Sequence, residues 1–164
     1  MTQVRVPPGP GQESVWDYPR PPRLEAEPRP VAVVLGGETI AQSTEALRIL
    51  ETSHPPVYYL PAGDVGMGVV SDNGARSWCE WKGEGCYLDV KVGTRREEAA
   101  AWRYDRPDRR YAPLAGFVAF YAHRMDGCYV GDELVVAQPG DFYGGWITSL
   151  VVGPFKGGPG SWGW

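Results

Sequence analysis

Residues 51–61 read Glu51-Thr52-Ser53-His54-Pro55-Pro56-Val57-Tyr58-Tyr59-Leu60-Pro61, and the layout of the chain turns on this run. Each proline fixes its own φ and steers the residue before it out of the α region. Whatever precedes Glu51 must therefore become extended here, with His54 at a stiff corner. Val57 to Leu60 then reads as a short strand. Side chains alternate along a strand, so Tyr58 and Tyr59 point to opposite faces and only one of them can share a pocket with His54.

Upstream of the corner, Val31 to Leu35 is a buried strand by composition, and Gly36-Gly37 is a two-residue turn that returns the chain through Glu38-Thr39-Ile40-Ala41. Ser43 suits a helix N-cap, Glu45 suits a first turn, and Ala46, Leu47 and Leu50 fall on one helical face. The sequence thus predicts one short helix over Thr44 to Glu51. Residues 1–30 carry eight prolines, too many for helix or central strand, and form a Pro-rich arm held on the domain by Trp16 and Tyr18.

Downstream, the three glycines of residues 62–68 predict a loop or a single helical turn. Ser77 to Trp81 and Cys86 to Val92 are strands joined by Lys82-Gly83-Glu84-Gly85, followed by strands over 99–104, 117–121 and 128–130. Residues 31–135 make the β domain. The tail, 136–164, has eight glycines and three tryptophans from Pro139 onward and is expected to lie over the sheet, anchored by its rings. The whole chain, with 22 Gly, 16 Pro and 12% aromatics in 164 residues, favours turns and ring-stiffened strands over long helices. The expected fold is mainly β: a single compact antiparallel β domain with one short helix.

A net charge of −4 and a pI near 5.2 give no surface for a polyanion, so no nucleic-acid partner is expected. No apolar run approaches the roughly 20 residues of a spanning helix, and residues 1–7 lead into prolines instead of an apolar leader. A cytoplasmic location without a membrane partner is the expectation, and the oligomeric state is open. Cys79, Cys86 and Cys128 read as reduced thiols; their spacing suits no zinc knuckle, so neither metal nor other cofactor is implied.

Chemistry-bearing residues cluster around the corner and the hairpin after it. Tyr58, Trp78, Trp81, Trp102 and Tyr104 come from consecutive strands and can wall a pocket, with His54, Asp64 and Lys82 as its polar groups. Such a mixture of rings and opposite charges suits a small polar or zwitterionic molecule. A second reading makes the chain an enzyme, with Cys79 as nucleophile and His54 as base, or His54 and Asp64 as an acid–base pair. The first pairing requires Cys79 and His54 within roughly 3 to 3.5 Å. The bland reading of the same residues is a corner histidine, a buried thiol and packed core rings.

The segments Gly36-Gly37-Glu38-Thr39-Ile40-Ala41, Ser53 to Pro61 with Asp64-Val65, Trp81-Lys82-Gly83, Ala100-Ala101-Trp102-Arg103-Tyr104 and Gly116 to Tyr121 together resemble the bacterial domain-of-unknown-function family four hundred and twenty-seven. The resemblance spans about residues 13 to 135. It implies a β-tent architecture, similar to that of methionine sulfoxide reductase type B and the ligand-binding domain of cereblon. Family members place Cys-Pro before the aromatic-Lys-Gly motif, where this chain has Cys79-Glu80. The family also carries a nucleotidyltransferase label. Nucleotidyl transfer needs Mg²⁺ on clustered carboxylates, commonly Gly-Ser followed by Asp-x-Asp; this chain has no Asp-x-Asp, and Gly160-Ser161 is its only Gly-Ser. The residues speak against the label.

Overall fold

The computed structural model describes residues 4–140 and 142–164. The strands, in chain order, are β1 (Glu13–Ser14), β2 (Arg23–Glu27), β3 (Val31–Leu35), β4 (Glu38–Ser43), β5 (Ala46–Leu50), β6 (Val57–Tyr59), β7 (Val70–Cys79), β8 (Gly83–Val92), β9 (Arg95–Arg103), β10 (Val118–Phe120), β11 (Gly127–Val130), β12 (Glu133–Leu134), β13 (Val136–Ala137), β14 (Trp146–Ile147) and β15 (Val151–Val152). Helical structure among the described residues is confined to four short 3-10 turns. The chain is mainly β, in several largely antiparallel sheets. Among the described residues, no helix is long and apolar enough to cross a membrane.

Two four-stranded sheets, ordered β12-β11-β3-β4 and β10-β9-β8-β7, enclose the main core. Val31, Val33 and Leu35 of β3 face inward with no exposure, as strand alternation requires. Gly36 and Gly37 adopt φ of +62° and +77°, the left-handed pair that a two-residue hairpin turn needs. A three-stranded sheet, β2-β5-β6, completes the body and reaches the second large sheet through an isolated bridge between Leu60 and Val118.

The segment expected to be helical, Thr44 to Glu51, is instead the strand β5, central between β2 and β6. Both faces of β5 are covered: Ala46, Arg48, Ile49 and Leu50 are all at least 94% buried. A strand buried on both sides loses its apolar alternation, and the remaining pattern imitates a helix. The Ser43 hydroxyl does accept a backbone N–H, that of Glu45 at 2.9 Å, but in a turn between two strands and not as a helix cap. Arg48 is held on one face by Glu13 and Glu25, which keeps its guanidinium permanently charged.

Residues on either side of the two large sheets are built into the body. Arg23–Glu27 is an edge strand paired along its length with β5, the sheet position that a proline-flanked segment tolerates. Glu13 and Ser14 run parallel to Val151 and Val152, while Val15 and Tyr18 bury against Leu50 and Val151. Trp146 is 1% exposed, stacks on Tyr58 with ring centroids 5.2 Å apart, and donates its indole N–H to the Phe120 carbonyl at 3.0 Å.

Candidate functional site

A cavity of about 260 Å³ opens on the outer face of β6, β8 and β9, where the corner at residues 51–56, the β7–β8 turn and residues 138–156 converge. Strand parity decides which rings reach it. On β6, Tyr59 faces the cavity and Tyr58 faces the main core. On β9 and just beyond, Trp102 and Tyr104 share one face while Ala101 turns to the core, as spacing by two requires. Tyr59, Trp102, Tyr104 and Tyr121 pack against one another at centroid separations of 6.2, 6.4 and 4.6 Å, mostly tilted or edge-on. Trp78 and Phe142 stand at the mouth, 75% and 67% exposed.

His54 forms one end of the site. It is 7% exposed, and its backbone N–H closes a turn onto the Glu51 carbonyl at 3.0 Å. That turn forces Ser53 into φ +71°, a left-handed conformation that costs a non-glycine residue on the order of 1–3 kcal/mol. Two long-range bonds hold Ser53 there: its N–H donates to the Val15 carbonyl at 3.0 Å, and its carbonyl accepts from the Lys156 N–H at 2.9 Å.

The imidazole is fixed by Gln138. The Gln138 side-chain oxygen accepts the Gly145 N–H at 3.0 Å, and its amide nitrogen donates to the Lys156 carbonyl at 2.8 Å. These partners set the orientation of the amide, so the same nitrogen, 3.2 Å from His54 Nδ1, is a donor there as well. Nδ1 is then an acceptor and the proton sits on Nε2. Nε2 lies 3.6 Å from the Glu51 carboxylate, longer than a formed hydrogen bond. Burial, then the positive fields of Lys156, Arg20 and Lys82, pull the pKa of His54 down to about 3. At neutral pH the ring is an uncharged N–H donor facing the cavity, packed edge-on against Tyr143 at 4.7 Å.

Lys82 forms the other end. The turn Glu80–Lys82 carries it inward, leaving it 8% exposed, with its ammonium 5.7 Å from the Tyr104 ring centre. Burial opposes its charge, but Tyr104, Cys79 and Glu51 together outweigh burial and raise its pKa, so it stays an ammonium. Among the described residues Lys82 takes part in no ion pair. Lys156 lies against the Tyr143 ring at 5.5 Å and donates to the Trp164 oxygen at 3.0 Å.

Of the residues singled out in the sequence, the structure brings His54, Cys79, Trp81, Lys82, Trp102 and Tyr104 to this cavity, along with Trp78. Tyr58 is not there; alternation commits it to the core against Trp146. Asp64 is not there either, since the 3-10 turn Ala62–Asp64 leaves it exposed beyond the far end of β6. The His54–Asp64 pair therefore does not form. Cys79 makes no hydrogen bond to His54, whose ring nitrogens face Gln138 and Glu51; the polar neighbour of the thiol is Lys82. Glu51, Gln138, Tyr143 and Lys156 were missed by sequence reasoning. Three of them lie more than eighty residues from His54, and the one local sign was Gln138 standing alone before Pro139-Gly140 at the start of a glycine-rich run.

A family model described as a domain of unknown function (DUF427), and named for nucleotidyl transfer, matches residues 23–131, more than half of the chain. No curated protein matches. The carboxylates do not fit a metal-dependent transfer centre: among the described residues, no group of three His, Cys, Asp or Glu side chains comes together to hold an ion. Gln138, Tyr143 and Lys156 lie outside the matched segment.

Proposed function

From the chemistry of its cavity we propose that this chain, which belongs to the DUF427 family, binds a small polar molecule bearing an anionic group. The observation that carries this reading is Lys82. Its side chain is only 8% exposed, its surroundings keep the ammonium charged, and among the described residues no carboxylate comes close enough to form an ion pair with it, so its N–H donors are free for an incoming anion. A carboxylate or phosphate entering the cavity would supply the missing partner. The other polar groups extend the match: His54 Nε2–H is a second donor, and the Glu51 carboxylate offers an acceptor for an amino or hydroxyl group on the same molecule. Tyr59, Trp102 and Tyr104 give an apolar, aromatic wall for the remainder. At about 260 Å³ the space lies just below the roughly 300–1,000 Å³ of drug-sized sites, which favours a compact metabolite over a polymer.

The test is a thermal-shift screen of small carboxylates, organic phosphates and amino acids on wild type and Lys82→Met. Stabilisation of wild type by members of the anionic set, lost in the variant while its own melting temperature holds, supports the reading. A wild type that responds only to neutral or cationic compounds would sink it.

A further inference from the structure

We propose that Cys79 is a covalent acceptor site, alkylated by small carbon electrophiles that carry a carboxylate and are drawn to the thiol by Lys82. This inference rests on the anion-binding reading of the cavity and adds a chemical step to it. Cys79 is the last residue of β7, pairs in register with Gly83 across the turn, and is half-buried on the cavity wall. The buried, unpaired ammonium of Lys82 is on that same turn, three residues on, and aims into the same space. The thiol's field is felt by Tyr59 from β6, Tyr104 after β9 and Tyr111 from the 3-10 turn Arg109–Leu114, and the Glu51, His54, Glu80 and Tyr87 side chains line the same cavity. A carboxylate seated on Lys82 holds the rest of a short molecule against Sγ, and such placement replaces a collision with an internal encounter.

With an α,β-unsaturated carboxylate, Sγ forms a bond to the β-carbon and the π pair moves to the α-carbon. The thiol proton ends on that carbon, directly or by exchange through Lys82. Nothing leaves, and no oxidant or reductant is consumed. The other two thiols serve as internal controls: Cys86 is 6% and Cys128 1% exposed, and burial pushes the Cys128 thiol up to about 12, where it is unreactive at neutral pH.

Iodoacetate and iodoacetamide give the test, since they differ chiefly in charge. In both, the S–C bond forms, iodide leaves and the thiol proton goes to solvent. At an ordinary cysteine the neutral reagent is favoured, because a thiolate repels a carboxylate. At Cys79, site-resolved mass spectrometry is expected to show iodoacetate favoured by about tenfold, the low end of what a focused charge does to local reactant concentration. The preference should shrink as salt is raised, persist in Lys82→Arg and reverse in Lys82→Met. An equal or inverted preference in wild type, or an unchanged one in a folded Lys82→Met protein, overturns the proposal. Reversible carboxylate binding is followed separately by thermal shift on Cys79→Ser, which has no thiol there to react. Binding without selective alkylation removes the covalent site and leaves the binding reading standing.

Discussion

The histidine at the corner sets a pH dependence that can be worked out in advance. His54 has its pKa pulled from 6.5 to about 3 by burial and by the positive fields of Lys156, Arg20 and Lys82. Because the folded-state value is the lower one, the unfolded chain takes up this proton first. Stability from this group is complete above about pH 6.5 and is lost as pH falls toward 3, at about 1.36 kcal/mol per pH unit. Between pH 7 and pH 5 the loss is about 2 kcal/mol. The direct comparison is wild type against His54→Gln, whose amide can still accept from Gln138. Urea unfolding at both pH values should show wild type losing about 2 kcal/mol more than the variant, whatever the variant's absolute stability. Parallel pH dependence in the two proteins, or a His54 ring that titrates in the ordinary histidine range by NMR, would refute the reasoning.

Other perturbations give distinct outcomes. Trp146→Ala removes a 1%-exposed ring stacked on Tyr58 and should cost about 3–5 kcal/mol by chemical denaturation; a loss under about 1 kcal/mol would mean that residues 136–164 lie on the core without completing it. Arg48→Met leaves the Glu13 and Glu25 carboxylates, each about one-third exposed, without their partner and should destabilise by about 1–3 kcal/mol at neutral pH, read by urea unfolding. Ser53→Gly relieves φ +71° and removes a buried hydroxyl that has no partner; against the entropy cost of glycine, a net gain of about 1 kcal/mol is expected, read as a higher melting temperature. In Gly144→Ala the new Cβ would lie 2.1 Å from the Trp102 ring, so the indole must move; ligand-induced shifts should vanish and indole fluorescence should change.

Much of the architecture was legible locally. The hairpin of β3 and β4 announces itself by alternation and Gly36-Gly37, and the Pro-Pro corner by the restriction it places on His54. β5 was not, because a strand central to its sheet is defined by Arg23–Glu27 on one side and Val57–Tyr59 on the other, and neither pairing leaves a mark inside residues 46–50. The site followed the same division. Trp102, Tyr104, Lys82 and Cys79 sit on adjoining β strands and their turn, so proximity in sequence carried proximity in space. Choosing Tyr58 over Tyr59 was a matter of parity, and parity needs to know which face of β6 the core occupies. The tautomer of His54 was beyond sequence altogether, since it depends on an amide eighty-four positions away, itself oriented by Gly145 and Lys156.

The segment that matches the family model ends at residue 131, yet Gln138, Tyr143 and Lys156 complete the cavity. The cavity is thus lined jointly by the matched segment and by the residues that follow it. The matched segment carries the ammonium, the thiol and most of the rings, whereas residues 132–164 decide which tautomer the imidazole presents and how the mouth is edged. A change confined to residues 138–156 would therefore alter which ring nitrogen of His54 carries the proton, and so the donors the cavity offers, without touching a residue of the matched segment.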